Sequence, residues 1–320
     1  MQNIIKYLKI ILLLGFFSSI ISLGAVFYIL WKFSPELPSY EKILNYKPDL
    51  SSRVYTSDGI LLKSYYTKER IYVPINRIPR EIINAFISAE DKKFFLHSGI
   101  DIIAIFRAII SNILATVNNS QLIGASTITQ QVVKNLLLTN EVSYERKIKE
   151  ILLAIRIENI LEKNKILELY LNDIYLGYGS YGVAAASLNY FNKSLQDLTL
   201  DEIAFLASLP KAPNNYNPKT KYVQAIERRN WVLDRMYQNN FITNLDLKFK
   251  EKEILVKDRY ENKFEEANYF KEEVRKQLNN LLGNNNFFII CLLVIRYKQC
   301  LPSFQHHIVF YIFNSDFRTS

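Results

Sequence analysis

The stretch from Ile10 to Trp31 constrains this chain more than any other, because 22 consecutive residues carry no charge and are mostly apolar. As a helix the run rises about 33 Å, against a bilayer hydrocarbon core of about 30 Å. A cleaved leader has a shorter apolar region, about 7–15 residues, and ends at a small-residue A-x-A-like site. No such site follows here. One transmembrane anchor over residues 10–31 is therefore expected, behind an N-terminal stub of residues 1–9. Lys6 and Lys9 before it nearly balance Lys32, Lys42 and Lys47 after it, so charge does not orient the span.

Beyond the anchor the composition is that of a folded domain. Hydrophobic residues make up 49% and charged ones 22%, which implies neither global disorder nor a polytopic membrane protein. The net charge of +9 asks for an anionic partner: nucleic acid, a lipid headgroup surface or a phosphate-bearing substrate. Cys291 and Cys300 leave residues 1–290 without a disulfide framework or thiolate metal site. His306 and His307 lie near them, yet no second ligand pair stands at zinc spacing.

Ser34-Pro35 and Leu37-Pro38 predict an extended exit from the membrane. Asp58-Gly59 between β-prone runs predicts a hairpin, so residues 32–75 read as a stalk with a small β element. From Pro79 to about Asn240 apolar residues recur at helical spacing, and the core domain, residues 76–240, is expected to be mainly α. Thr127-Ile-Thr-Gln130 and Thr199-Leu-Asp-Glu202 are capping boxes that mark helix starts. Residues 102–117 are nearly all apolar, either a buried helix or one lying in a membrane interface. After 241–283 comes a tail, 284–320, whose apolar run Phe287 to Ile295 is too short to span and whose remainder has no clear period.

The candidate chemical groups lie on these helices. Ile83, Phe86, Ile87 and Glu90 fall at i, i+3, i+4 and i+7, so Glu90 projects from an apolar stripe, where desolvation raises a carboxyl pKa toward the range of a general base; a helix simply ending there is the plain alternative. His97 in the following loop reads as a structural hydrogen-bonding residue. Glu168 shares a face with Asn172 and Tyr175, which by itself reads as solvated. Gln130, Gln131 and Lys134 follow a helix start that favours anions. Arg146 and Glu150 form an i, i+4 pair that reads as a surface salt bridge.

In order, these residues make up signatures: Ala89-Glu-Asp-Lys-Lys-Phe-Phe-Leu-His-Ser-Gly99, Gly124-Ala-Ser-Thr-Ile-Thr-Gln-Gln-Val-Val-Lys-Asn135, Arg146-Lys-Ile-Lys-Glu150, Ile166-Leu-Glu-Leu-Tyr-Leu-Asn172 with Gly177, and Leu198 to Tyr216 around Leu-Pro-Lys-Ala-Pro. Together they resemble the glycosyltransferase 51 module of class A penicillin-binding proteins and their monofunctional relatives, over about residues 50–280.

The resemblance implies a lysozyme-like α fold that polymerises lipid II, moving a glycan from undecaprenyl pyrophosphate to the 4-hydroxyl of the next unit with inversion. It assigns Glu90 as general base and Glu168 as second catalytic carboxylate near the pyrophosphate, where a divalent ion, magnesium, would suit; no organic cofactor is implied. Asp91, Ser126, Thr127, Gln130, Gln131, Lys134, Asn135, Arg146, Lys147, Glu150 and Asn172 become substrate-binding residues, and Phe94, His97 and Gly99 structural ones. Partners would be lipid II, the lipid-linked glycan and membrane lipid, not nucleic acid, at the cytoplasmic membrane with the domain on its outer side. Glycan cleavage by a lysozyme-like hydrolase or lytic transglycosylase is one competing function, and a truncated product that is inert or only anchors other wall-building proteins is the other.

A bifunctional member continues into a transpeptidase with ordered Ser-x-x-Lys, Ser-x-Asn and Lys-Thr-Gly. Here Ser39-Tyr-Glu-Lys42 and Ser208-Leu-Pro-Lys211 match only the first pattern by accident, and Lys-Thr-Gly does not occur. Ala267 to Arg275 resembles the linker toward that domain. The expectation is a chain cut shortly after Gly283 that does not bind penicillin covalently and leaves cross-linking to a separate transpeptidase.

Overall fold

The computed structural model describes residues 2–39, 41–44, 46, 52–55, 61–65, 69–117, 124–139, 141–256, 276, 292–296 and 309–313. Helix α1 (Gln2–Phe33) extends past both ends of the apolar run, and it is the one helix among the described residues long and apolar enough to cross a membrane. The exit expected to be extended begins instead with a helical turn, Ser34–Glu36, since proline is tolerated in a first turn where its missing N–H is not needed. The chain becomes extended only at Leu37. This end of the anchor is fastened to the core: Phe33 is buried, and Lys149 pairs with Glu36 at 2.6 Å. The short helix α2 (Glu41–Leu44) follows and sinks Ile43 into the core.

Strands β1 (Ser52–Tyr55) and β2 (Leu61–Tyr65) pair antiparallel, as a hairpin requires; the Asp58-Gly59 turn lies outside the described residues. The tail without readable period contributes two strands, β5 (Leu292–Arg296) and β6 (Val309–Phe313), giving a sheet of order β2-β1-β5-β6. Strand pairing needs only backbone groups and an open edge, which β1 offers, so it leaves no periodic trace in the sequence. The linker-like segment 267–275 lies outside the described residues.

The rest is mainly α. Helices α3 (Arg80–Glu90), α4 (Ile102–Val117), α5 (Ile128–Leu137), α6 (Tyr144–Glu158), α7 (Lys163–Asp173), α8 (Val183–Phe191), α9 (Leu200–Ser208) and α10 (Tyr222–Gln238) follow in order, with β3 (Glu69–Arg70) and β4 (Ser180–Tyr181) paired in parallel. Both capping boxes form, at Thr127 with Gln130 and at Thr199 with Glu202. Helix α7 is the centre: every residue from Ile166 to Asp173 is buried, enclosed by α5, α8 and the segment after β3. Phe86, Tyr170, Phe191 and Phe205 are sealed inside the same cluster, each worth about 1.5–3 kcal/mol of burial.

Helix α4 behaves differently. Its Ile103, Phe106, Ile110 and Ile113 are each about 60% exposed, and among its described side chains only Ala108 and Ala115 are buried. Of the two readings of this apolar stretch, a buried core helix is therefore excluded.

Candidate active site

Helix α3 ends at Glu90, on the same face as Ile83, Phe86 and Ile87. The loop that follows is tied back tightly. Asp91 accepts from His97 Nε2 at 2.9 Å and from the Ile128 amide at 3.0 Å, so it joins the loop to the first turn of α5. Phe94 is fully buried, with Lys163 4.5 Å above its ring. Lys163 also donates to the His97 carbonyl at 2.6 Å. Gly99 has φ +92°, and an added Cβ would meet the Ala154 carbonyl oxygen at 2.7 Å, so the closing glycine is where α6 passes against the loop. Thr127 donates its hydroxyl to the Gly99 carbonyl at 2.6 Å. Phe94, His97 and Gly99 thus hold the loop that follows Glu90 and begins at Asp91.

Glu90 lies in the wall of a cavity of about 560 Å³, built from the end of α3, one side of α4, residues 124–127, Gln131 of α5, Lys211 and α10. Of the sequence-predicted residues, Glu90, Asp91, Ser126, Thr127 and Gln131 meet here. Gln131 donates to Glu90 Oε2 at 2.8 Å. Desolvation holds the Glu90 carboxyl above its ordinary pKa, opposed by the Gln131 bond and by the charge of Arg228 and then Lys211. Three acids and six cations line the space. Asp91 is engaged as described, and Asp101 accepts from the Ala104 amide at 2.9 Å, capping α4. Lys92, Lys93, Arg107, Lys211, Arg228 and Arg235 form no ion pair among the described residues. The surplus of cations over acids makes this wall electrostatically suited to an anionic ligand.

A second cluster sits at the rim. Glu150 is 2% exposed, so its pair with Arg146 is not a surface salt bridge; Arg146 Nη1 lies 3.1 Å from Oε2, and Lys147 meets Oε1. Lys147 also donates to Ser126 at 2.8 Å, which brings this cluster to the cavity edge. Gln130 stays buried in its capping box, while Lys134 and Asn135 are exposed on α5 outside the cavity lining.

Glu168 and Asn172 are not brought to this cavity. Their face of α7 reads as solvated in sequence, but the segment 70–75 covers it. Glu168 accepts from Lys165 at 2.6 Å, from the Ile75 amide at 2.9 Å and from the Tyr72 hydroxyl. Burial pushes its pKa up, but the Lys165, Tyr72 and Ile75 donors outweigh it and the net direction is down. Asn172 accepts from the Val73 amide at 2.7 Å and donates to the Val73 carbonyl at 2.8 Å, as a strand would. Arg70 and Asp173 form a buried ion pair beside them. A magnesium ion at Glu168 would have to displace the Lys165 ammonium, and no three His, Cys, Asp or Glu residues are grouped to hold a metal among the described residues. The donor set therefore does not fit that ion.

A family model described as Transglycosylase matches residues 58–237, more than half of the chain. The chain belongs to the transglycosylase family. It is 44% identical over 285 residues to penicillin-binding protein 1A of Rickettsia prowazekii, covering 88% of this chain and 36% of that one. To the protein of the same name in Escherichia coli it is 40% identical over 283 residues, covering 88% and 33%. To that of Aquifex aeolicus it is 46% identical over 250 residues, covering 77% and 34%. The chain thus spans about a third of the length of the curated relatives it matches.

Within this transglycosylase domain, sequence reading misses the cavity's far wall. Arg228, Trp231 and Arg235 on α10 line it, with Arg107 of α4 and Lys211 of the Leu-Pro-Lys-Ala-Pro stretch. Their i, i+3, i+7 spacing was the available signal, but charged residues at that spacing normally mark a solvated helix face.

Proposed function

We propose that the chain is a peptidoglycan glycosyltransferase that polymerises lipid II, carried by one observation: a desolvated carboxylate in a cavity whose six lining cations form no ion pair among the described residues. In this reading Glu90 takes the proton from the 4-hydroxyl of the acceptor sugar. The freed oxygen attacks the anomeric carbon of the lipid-linked glycan from the face opposite the leaving group, and the bond to pyrophosphate breaks with inversion. Cations of the wall stabilise the charge that develops on the departing pyrophosphate, typically the largest catalytic contribution. Gln131 orients Glu90, and Asp91 with His97 ties down the loop that follows it.

The exposed apolar face of α4 beside the cavity supports a domain that rests in the membrane interface, with α1 as its single span at the cytoplasmic membrane and the catalytic face outside. The test is full-length protein in detergent supplied with labelled lipid II. β-1,4-Linked glycan chains are expected, and equal yield from Glu90→Gln would sink the reading. Release of muropeptides from isolated sacculi without consumption of lipid II would point to glycan cleavage instead.

A further inference from the structure

Arg228 and Arg229 are neighbours on α10 and are held in opposite ways. Arg229 is fully buried and commits its donors: Nη1 to the Lys252 carbonyl at 2.7 Å, Nη2 to the Lys250 carbonyl at 2.8 Å and Nε to Asn230 Oδ1 at 3.0 Å. Arg228 lines the cavity and makes no hydrogen bond or ion pair among the described residues, and its Nε is buried without an acceptor. An aromatic face holds it instead, with Cζ 3.7 Å from the Trp231 ring centroid. Arg235 lies over the same indole at 5.2 Å.

A salt bridge would fix Arg228 by its forked edge and use up its donors. Stacking fixes it by its face and leaves the N–H groups uncommitted and the full charge in the cavity wall. We propose that Trp231 is a positioning residue: its indole, flanked by Arg235, holds the Arg228 guanidinium in the wall of the cavity that Glu90 lines, so that an uncommitted cation shares that cavity with the carboxylate that acts as the base. This rests on the reading of Glu90 as that base.

The other groups around Glu90 are Asp91, Lys92 and Lys93 in the loop after it, Asp101 and Arg107 at α4, Tyr170 on α7 and Lys211 after α9. Of the cations, Arg228 opposes the rise of the Glu90 pKa most. Among the described residues, only Arg228 and Arg235 of the lining cations are stacked on a ring.

The experiment compares Trp231→Leu, Trp231→Phe and Arg228→Met in the full-length protein in detergent. Glu90 is read without turnover, as the melting-temperature gap between each variant and the same variant carrying Glu90→Gln, from pH 4 to 8. The gap is expected to open above the ordinary carboxylate pKa, since the ionised carboxylate is the disfavoured form. It should widen most in Arg228→Met, clearly in Trp231→Leu and least in Trp231→Phe, which keeps a weaker ring. Polymerisation should follow, with Trp231→Leu losing about tenfold more activity at pH 6 than at pH 8. An unchanged gap in a cooperatively melting Trp231→Leu overturns the proposal. Should that variant fail to fold, Trp231→Phe decides in the same way, a wider gap supporting the proposal and an unchanged one overturning it. Absence of polymerisation by the unaltered protein would count against the Glu90 reading and leave the thermal comparison standing.

Discussion

Two carboxylates in this domain carry the same charge and meet opposite surroundings. Glu90 has one amide donor, a desolvating wall and cations that stand off in an open cavity. Glu168 has three donors in contact and lies outside the lining of that cavity. The first is held above its ordinary pKa and the second below it. The difference follows the donors in contact: a buried carboxylate short of them is held above its ordinary pKa, and one with several is held ionised as a tie. The tie at Glu168, with Asn172 and the Arg70–Asp173 pair, fastens the segment leading from the anchor onto the central helix.

The sharpest way to break this comparison is at Glu90. Glu90→Gln should lower turnover by about 10²–10⁴-fold, the usual worth of a general base. The same substitution should raise the melting temperature at neutral pH. A raised folded pKa means that ionisation penalises the folded state above the unfolded pKa, so the gain should vanish as pH falls toward 4. A lower melting temperature at pH 7 would mean that the carboxylate is satisfied after all.

Next comes Arg70→Met, which strands Asp173 in a buried site and should cost about 3–5 kcal/mol in urea unfolding. A cost under about 1 kcal/mol would show that the tie between segment and helix is not a source of stability. Glu168→Gln should be milder, about 1–3 kcal/mol for donors left short of an acceptor. Because its folded pKa is depressed, that contribution is present above the unfolded pKa and is lost as pH falls through the folded value. Turnover per folded molecule should change little. A hundredfold loss at unchanged stability would return Glu168 to the chemistry.

The smallest effect is expected at Gln131. Its bond favours the ionised form of Glu90, so Gln131→Leu should move the acid limb of the kcat/KM profile to higher pH while the alkaline limb stays put. A limb that moves down would reverse the role assigned to the amide.

Local signals in the sequence were dependable where the cause is local. The capping boxes at Thr127 and Thr199 need only four residues each, and both form. The apolar stripe that carries Glu90 is likewise a property of one helix, and it leads to the cavity. What failed was reading exposure from one helix alone. The Glu168–Asn172 face looks solvated until residues about 95 positions earlier fold over it, as the Val73 amide bond to Asn172 shows at a separation of 99. The α10 face of Arg228, Trp231 and Arg235 looks equally ordinary until α3 and α4 close a cavity against it. Strands β3 and β4 were missed because two-residue strands have no period to detect.

One helix carries a consequence for kinetics. Ala104, Arg107, Ala108 and Ser111 of α4 line the cavity, while Ile103, Phe106, Ile110 and Ile113 of the same helix face outward and are apolar. If that outer face lies in lipid, as proposed, the entrance to the site is level with the bilayer surface. A substrate tethered there by its own lipid then finds the enzyme by lateral diffusion. Its velocity should follow the number of substrate molecules per lipid rather than per litre, so diluting the whole suspension with buffer should leave the rate per enzyme unchanged, and diluting the membrane with inert lipid should lower it.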